Sequence, residues 1–239
     1  MVIDAREMDY TALNRAVRSS REDCVIDNCL GQRFIAAGEP EREIVVNGIP
    51  GNALGAYLNG ARVVVNGNAQ DAVGDTMNDG VIVVHGDLGD TAGYAMRGGA
   101  IYAAGNAGYR AGIHMKAYKD RLPVMVIGGC TGSFLGEYQA GGLIIVLGLH
   151  RDGRPIVSNF PGTGMHGGRM FLRSRCQDVL FPEQVTAHPA AEEEKAEIRP
   201  YILEFCRLFG GDPEALLSGE FTVVAPDSDN PYHQLYVEN

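Results

Sequence analysis

A repeat of 19 residues with fixed glycine spacing constrains the fold of this chain more than any other feature. Val45–Gly48 recurs as Val64–Gly67 and Val83–Gly86, and a weaker copy follows at Tyr102–Gly105. Apolar residues keep the same register in three columns, so stacking the units would turn each column into a continuous core. These columns are Ile44, Val63, Ile82 and Ile101; Leu54, Val73, Ala92 and Ala111; and Leu58, Met77, Met96 and Met115.

Each unit contains one short apolar run followed by a glycine-rich stretch. It is too short for a βαβ unit, whose crossover alone needs about a dozen residues. It is also too rich in glycine for a helical repeat. The remaining solution is a chain that returns above itself after every repeat. The sequence therefore predicts a mainly β fold, a single-stranded, right-handed parallel β-helix with strands about 4.8 Å apart along the axis.

Glycines are expected at the corners of this coil, where the chain turns with positive φ or where a Cβ would crowd the next coil. Asn28, Asn47 and Asn66 share one column, which favours a ladder of side-chain amides. The predicted corner glycines are Gly48, Gly51, Gly55, Gly67, Gly74, Gly86, Gly89, Gly93, Gly105, Gly108, Gly112, Gly129, Gly132, Gly136 and Gly148.

Extending the register predicts about eight rungs. The first is Val25–Asn28, placed 19 residues before Ile44–Asn47, and the last is Met170–Arg173. Five extra residues interrupt the period within Met115–Pro123, and a longer excursion runs over Leu149–His166.

The two ends differ from the repeats. Residues 1–23 are expected to form an N-terminal cap with a short helix from Tyr10 to Arg21, and residues 24–181 the β-helix. Residues 182–239 are predicted to be a helical C-terminal extension, because apolar residues recur there at helical spacing until Gly210. A brief strand should follow at Phe221–Val224.

Composition limits the classes of partner and the cellular compartment that are expected for this chain. The formal net charge of −10 argues against nucleic acid and anionic membranes as partners. No apolar run approaches the roughly 20 residues that span a bilayer, and the first ten residues carry three acidic groups, so a cytoplasmic protein is expected. The five cysteines are odd in number and lack Cys-x-x-Cys spacing, which favours reduced, buried thiols.

A search for catalytic, cofactor-binding or metal-ligating residues assigns none. Gly162–Gly167 has the spacing GxGxxG, but a strand follows it where a dinucleotide site requires a helix. The acidic turn Gly86–Asp90 is not repeated coil after coil, as a calcium-binding β-helix would require. Cys130 is interpreted as a small buried corner residue, against the alternative of a reactive thiol. Ser133, if it met one of two histidines, would allow a hydrolase or esterase, which we retain as the least favoured alternative; the two histidines are His150 and His166.

The five-residue insertion is the most distinctive candidate for a contact with another protein. It combines basic and aromatic side chains on an otherwise acidic chain, a composition typical of interfaces. The residues are Lys116, Tyr118, Lys119 and Arg121.

The glycine series resembles the GXGXG family of β-helices over residues 25–174, most closely in Gly86–Gly99 and Gly128–Gly142. That family includes the C-terminal domain of the glutamate synthase large subunit, its stand-alone counterparts in split enzymes, and the β-helical subunit of formylmethanofuran dehydrogenase. The segment Ile198–Val224 also resembles the end of the glutamate synthase chain, where a helix precedes a short closing segment.

The resemblance implies a structural subunit that is not catalytic alone, within a glutamate-synthase-type complex of glutamate biosynthesis. Its expected partners are a glutamine-amidotransferase-like subunit and an FMN-binding, glutamate-synthase-like subunit. FMN and an iron–sulfur cluster would belong to a partner, because this chain has Val2 where the amidotransferase has its cysteine and lacks clustered cysteines. A formylmethanofuran dehydrogenase complex is the alternative assembly. A lone scaffold exposes surfaces meant for other subunits, so self-association of the isolated chain is a further expectation.

Overall fold

The computed structural model describes residues 1–227, which form one continuous sheet flanked by three helices. Strands β1 to β9 pair parallel in chain order, β11 pairs antiparallel with β9, and β10 lies at the edge. The elements are β1 (Val2–Asp4), α1 (Tyr10–Ser19), β2 (Cys24–Leu30), β3 (Glu43–Ile49), β4 (Asn59–Asn66), β5 (Asp79–Val84), β6 (Ala100–Ala103), β7 (Val124–Ile127), β8 (Ala140–Val146), β9 (Gly167–Leu172), β10 (Val185–Pro189), α2 (Glu192–Phe209), α3 (Pro213–Leu217) and β11 (Thr222–Pro226).

The rungs of the solenoid are the strands β2 to β9, which confirms the expected number and the 19-residue coil. Ile44 pairs with Val63, Val63 with Ile82, and Ile82 with Ile101, each at a separation of one repeat. After the insertion the same column continues with Met125. The strand order follows the chain because each coil delivers its apolar run directly above the preceding one.

The interior is filled by the three apolar columns that the sequence repeats. Every member of these columns is buried, and all belong to one hydrophobic cluster that runs the length of the stack. Met77, Met96 and Met115 line one side of it without solvent exposure. Flexible thioethers suit such a position, because they fill irregular gaps between coils that are similar but not identical.

The register of the first rung differs from the expectation by one residue. Cys24 pairs with Ile44 and Val25 with Val45, so the offset is one longer than the repeat until a bulge restores it at Cys29. Asn28 lies in this bulge with φ of 57° and donates to Asp4 Oδ1 at 2.9 Å. Asn28 therefore leaves the amide ladder, in which Asn66 donates to Asn47 and Asn47 donates to Asp27. The repeat pattern does not reveal the extra residue, because a bulge changes the number of residues between paired positions without requiring a distinctive residue type.

The N-terminal end is closed by a strand that was not predicted and by the expected helix. β1 adds to β2 in parallel, and α1 buries Leu13 and Val17 against the first coil. Helix α1 begins where the Asp9 carboxylate accepts the Ala12 amide at 2.7 Å. The buried Arg42 guanidinium binds carbonyl oxygens at the end of α1, including that of Val17 at 3.0 Å.

The C-terminal extension turns back over the outside of the solenoid. Helix α2 lies near β9, where Glu197 binds Arg169, and it ends near β5, where the Phe209 ring packs on His85. Its 18 residues span about 27 Å, enough to cross the roughly 19 Å between the first and last of five strands. Its apolar face and the outer residues of β6 to β9 form a second core. The predicted helical segment and the final strand are thus present, whereas β10 occupies residues that were predicted to belong to the helical extension, and residues 228–239 of that extension lie outside the described residues.

Candidate functional site

Each coil contains the same corner turn, in which every second residue adopts the left-handed conformation. In one turn, Thr91, Gly93 and Ala95 have φ of 55°, 71° and 50°. The amides of these three residues point alternately along the solenoid axis. Those of Thr91 and Ala95 donate to the following coil, and that of Gly93 donates to the Val73 carbonyl of the preceding coil. Seven such corner turns occur among the described residues, and we number them one to seven. They are 33–38, 52–57, 71–76, 90–95, 109–114, 133–138 and 159–164.

The middle left-handed position is glycine in turns two to seven, because a Cβ atom at this position would point into the core. A Cβ built on Gly55 lies 2.6 Å from Cδ1 of Ile82, and turn three repeats this clash with another isoleucine. Turn one has Ala36 at this position. The equivalent core residue there is Val63, the partner of Ile82 in the neighbouring rung, which lacks the Cδ1 methyl. Core side-chain length therefore decides where glycine is required.

A second set of corner glycines makes room for polar side chains from the coil before. The space that a Cβ of Gly89 or Gly108 would fill holds an Asp Oδ1 atom, and an Asn or Asp oxygen occupies the same space at other members of the set. These oxygens accept backbone amides, as when Asp90 NH binds Asp71 Oδ1 at 2.9 Å. The set is Gly86, Gly89, Gly105, Gly108 and Gly129; at Gly48, Gly51, Gly67 and Gly132 the backbone of the preceding coil is the crowding group, and Gly148 approaches Ile156.

The outward left-handed positions and their neighbours form a continuous surface strip, which we call the corner ridge. Its upper half, turns five to seven, is bulky and aromatic, whereas turns two to four carry mainly small or acidic residues together with the exposed Tyr57 and Tyr94. Exposed aromatic side chains of this upper half include Tyr109, Tyr138 and Phe160. The sequence analysis missed this ridge, although its signal was present: aromatic residues recur at equivalent turn positions once the insertion and the excursion are allowed for.

The aromatic half of the ridge is ordered by ring contacts between successive turns. The Tyr109 and Phe134 ring centroids are 5.5 Å apart, and Phe134 is 5.2 Å from Phe160. The His114 and Tyr138 rings stack at 5.2 Å and 10°. Arg110 lies against the first of these groups of rings, with its guanidinium carbon 4.8 Å from the Tyr109 centroid and 5.5 Å from that of Phe134. Such preorganised aromatic and arginine side chains are the types enriched at protein interfaces.

A buried carboxylate fixes Arg110 in this position. Its Nε lies 2.7 Å from Oε2 of Glu137, whose side chain is only 7% exposed. The pair holds the guanidinium, whose side chain is 39% exposed, close to the Tyr109 and Phe134 rings.

The predicted contact residues of the insertion are all exposed, as an interface role requires. The segment closes in a small hairpin, in which Tyr118 and Arg121 exchange backbone hydrogen bonds at 3.1 Å. Arg121 folds back over the third coil and donates to the Asn78 carbonyl at 3.1 Å. Lys119 Nζ lies 5.3 Å from the centroid of the Tyr118 ring. Because Lys116 follows His114 by two residues, the insertion begins beside the corner ridge.

The residues considered for catalysis have structural contacts. The Ser133 hydroxyl accepts the Asn159 amide at 3.2 Å, which ties the excursion to turn six. His150 is exposed in the 148–153 turn, and His166 Nδ1 lies 3.0 Å from the Gly164 carbonyl oxygen. Burial raises the pKa of the Cys130 thiol, which disfavours the reactive thiolate. The Gly162–Gly167 loop leads directly into β9, as expected.

Within residues 1–227, no group of three or more His, Cys, Asp or Glu side chains is placed to hold a metal ion. No helix in the same range has the length and apolarity required to cross a bilayer. All five cysteines are buried and unpaired, in agreement with the sequence analysis.

Comparison with known proteins identifies a relative and a structural neighbour. An uncharacterized protein of Methanocaldococcus jannaschii is 43% identical over 250 residues, covering 99% of this chain and 96% of the relative. A chain of the formyltransferase/hydrolase complex of Methylorubrum extorquens, crystallised with methylofuran, matches with a TM-score of 0.58 and 18% identity. That match covers 92% of this chain and 88% of the other, and at this identity it shows a shared fold. The GXGXG motif family matches residues 6–226, and the chain therefore belongs to that family.

Proposed function

We propose that this chain is a structural, non-catalytic subunit of a multi-subunit enzyme complex. The observation that carries the proposal is that nearly the whole described chain consists of solenoid and its two caps. A neighbour that shares this fold over 88% of its length is itself a chain of such a complex. A stack of coils with laddered side chains offers a long, rigid surface, which suits the positioning of other subunits.

Two assemblies are candidates, and the structural neighbour favours one that handles formyl groups. The formyltransferase/hydrolase complex contains a chain of this fold, and the family that the sequence resembles includes a subunit of formylmethanofuran dehydrogenase. A split glutamate synthase is the second candidate. It is favoured by the C-terminal order of helix α2 and closing strand β11, which resembles the end of the glutamate synthase chain.

Under either assignment, the chemistry belongs to partner subunits. An amidotransferase-like subunit and an FMN-bearing, iron–sulfur subunit would complete a glutamate synthase, whereas formyltransferase and hydrolase subunits would complete the other complex. This chain would supply contact surfaces, of which the Lys116–Arg121 insertion is the first candidate because it is basic, exposed and held by backbone hydrogen bonds.

Affinity purification of the tagged chain from its own cells tests the proposal. The eluate is examined for partner subunits, flavin absorbance, glutamine-dependent glutamate formation and formyl transfer from a formylated furan cofactor. Flavin with glutamate formation selects the glutamate synthase complex, and formyl transfer selects the other. Purification of the chain without stoichiometric partners, under conditions that preserve known complexes, would contradict the proposal.

A matched pair of charge reversals tests the insertion as a contact. Lys116→Glu, Lys119→Glu and Arg121→Glu together should reduce partner recovery at least about tenfold, since like charges across an interface are strongly unfavourable. The control reverses three exposed arginines of the N-terminal cap, Arg15, Arg18 and Arg21. Equal recovery with both triple variants would exclude the insertion as a contact.

A further inference from the structure

The insertion concentrates the lysines of the chain. Only three lysines occur in the sequence, and Lys116 and Lys119 both lie in this segment. Together with Arg121 and with Arg97 of the preceding coil they form an exposed group of four cations, which we call the cationic patch. We propose that the cationic patch binds an acidic segment of a partner subunit. This inference rests on the proposed function, to which it adds the chemistry of the partner.

Arg97 and Lys116 occupy the same position in successive coils. The Lys116 amide donates to the Met96 carbonyl at 3.0 Å, and the Arg97 amide donates to the Met77 carbonyl at 2.8 Å. The two side chains therefore leave the backbone from coils about 4.8 Å apart. Like charges at this spacing repel each other, and the coil below has the neutral Asn78 at the equivalent position. The fold gains nothing from this pair of cations, which favours a role in binding.

The side chain of Arg121 is held against the same coils. A Cβ built on Gly98 would lie 2.9 Å from the Cβ atom of Arg121, so the glycine makes room for the arginine. The guanidinium reaches the coil below, where it donates to the Asn78 carbonyl at 3.1 Å. These contacts bring a cation of the insertion close to Arg97, the neighbour of Gly98 in the chain. The patch is thus continuous across two coils and is ordered before a partner binds.

The cationic patch lacks counter-charges within the described part of the chain. None of its four members belongs to an ion pair there. Two acidic residues adjoin it in sequence, Asp79 after Asn78 and Asp120 within the hairpin, so positive charge stays in local excess on a chain whose formal net charge is −10. Carboxylates of a partner would balance this excess, whereas the acidic remainder of the surface would repel a nucleic acid that extends beyond the patch.

Apolar side chains flank these charges. Tyr118 is 51% exposed and Leu122 is 42% exposed, on either side of the hairpin tip in the chain. The Tyr118 ring also lies against the Lys119 ammonium group and supports the cation. Tyrosine and arginine are among the residue types enriched at protein interfaces. The partner segment should therefore present carboxylates together with at least one apolar side chain.

Carbodiimide cross-linking in a cell extract, followed by affinity purification of the tagged chain, tests this inference. The reagent joins a lysine amine to a carboxylate in direct contact, and only three lysines of this chain can react. Lys195 is an internal control, because its Nζ lies 3.1 Å from Glu192 and should yield a link within the chain. Mass spectrometry should find Lys116 or Lys119 joined to an aspartate or glutamate of a partner subunit.

Variants separate the effect of charge from the chemistry of lysine. Arg97→Gln with Lys116→Gln should reduce partner recovery at least about tenfold, since both changes remove charge at the contact. Lys116→Arg with Lys119→Arg should retain recovery while losing the cross-links. The matched control, Arg15→Gln with Arg18→Gln, removes the same charge from exposed positions of α1 and should leave recovery unchanged. Circular dichroism confirms that each variant is folded.

The outcomes distinguish this inference from the proposed function. A recovered complex in which Lys116 and Lys119 link only within this chain, or to a second copy of it, overturns the inference alone. Equal recovery with the Arg97→Gln, Lys116→Gln pair and with the control pair does the same. A chain that is recovered without partners, and without links to another protein, contradicts both.

Discussion

Replacing Gly55 with alanine tests whether crowding by Ile82, in addition to φ, keeps glycine at the middle of the corner turns. Alanine at φ of +66° carries the left-handed penalty of about 1–2 kcal/mol. Its Cβ would also lie 2.6 Å from Ile82 Cδ1, and such overpacking costs about 1–3 kcal/mol. The Gly55→Ala variant should therefore lose about 2–5 kcal/mol of unfolding free energy.

The native Ala36 and Val63 pair indicates how the loss can be recovered. Ile82→Val removes the clashing methyl and should cost about 1 kcal/mol by itself. In the double variant the clash disappears, so its destabilisation should fall short of the sum of the single variants by at least about 1 kcal/mol. Urea unfolding followed by circular dichroism measures all three variants on one scale.

Gly38→Ala is the matched control for backbone strain. Gly38 has φ of +71°, and a Cβ built on it meets no atom within 4 Å. It should therefore show the left-handed penalty alone, about 1–2 kcal/mol. If Gly55→Ala costs no more than Gly38→Ala, or if the double variant equals the sum of the singles, the crowding argument is wrong.

Two further predictions concern buried polar groups near the N-terminal cap. Arg42→Met should destabilise the protein by about 3–5 kcal/mol in thermal unfolding, because it leaves a buried carboxylate unpaired; Nε of Arg42 lies 3.1 Å from Glu39. Adding Glu39→Met should restore part of the loss, and a double variant as unstable as Arg42→Met would refute the pairing. Burial raises the pKa of the Cys29 thiol to about 11, so iodoacetamide at pH 8 should label Cys29 only after unfolding. Labelling of the native protein at the rate of a free thiol would contradict this.

The sequence predicted the features that repeat. The columns through Ile44, Leu54 and Leu58 specified the coil, its core and the strand order, because a fixed spacing places equivalent residues above one another. Helix α2 of the C-terminal extension followed from the spacing of its own apolar residues. The side of the solenoid on which α2 packs could not be predicted, because it depends on apolar residues that face outward from β6 to β9. Strands that are buried on both faces show no alternation of apolar and polar residues, so the sequence does not reveal which face is covered.

Features that occur only once could not be predicted from the repeat. β1 has three residues, too few for any periodic signal. The bulge at Asn28 shifts the register without a distinctive residue type. The corner ridge was missed for another reason: the glycines drew attention to the middle of each turn, whereas the outward side chains lie on either side of it.

Helix α2 divides the solenoid into two regions that differ in their stability against local opening. Each coil contacts only its neighbours, so a bare stack can open one coil at a time. By packing across β5 to β9, α2 makes the opening of one of these coils disturb contacts to several others. Amide hydrogens of β6 to β9 should therefore exchange together and slowly, whereas the coils from β2 to β4 lack these contacts with α2 and form the region that opens first.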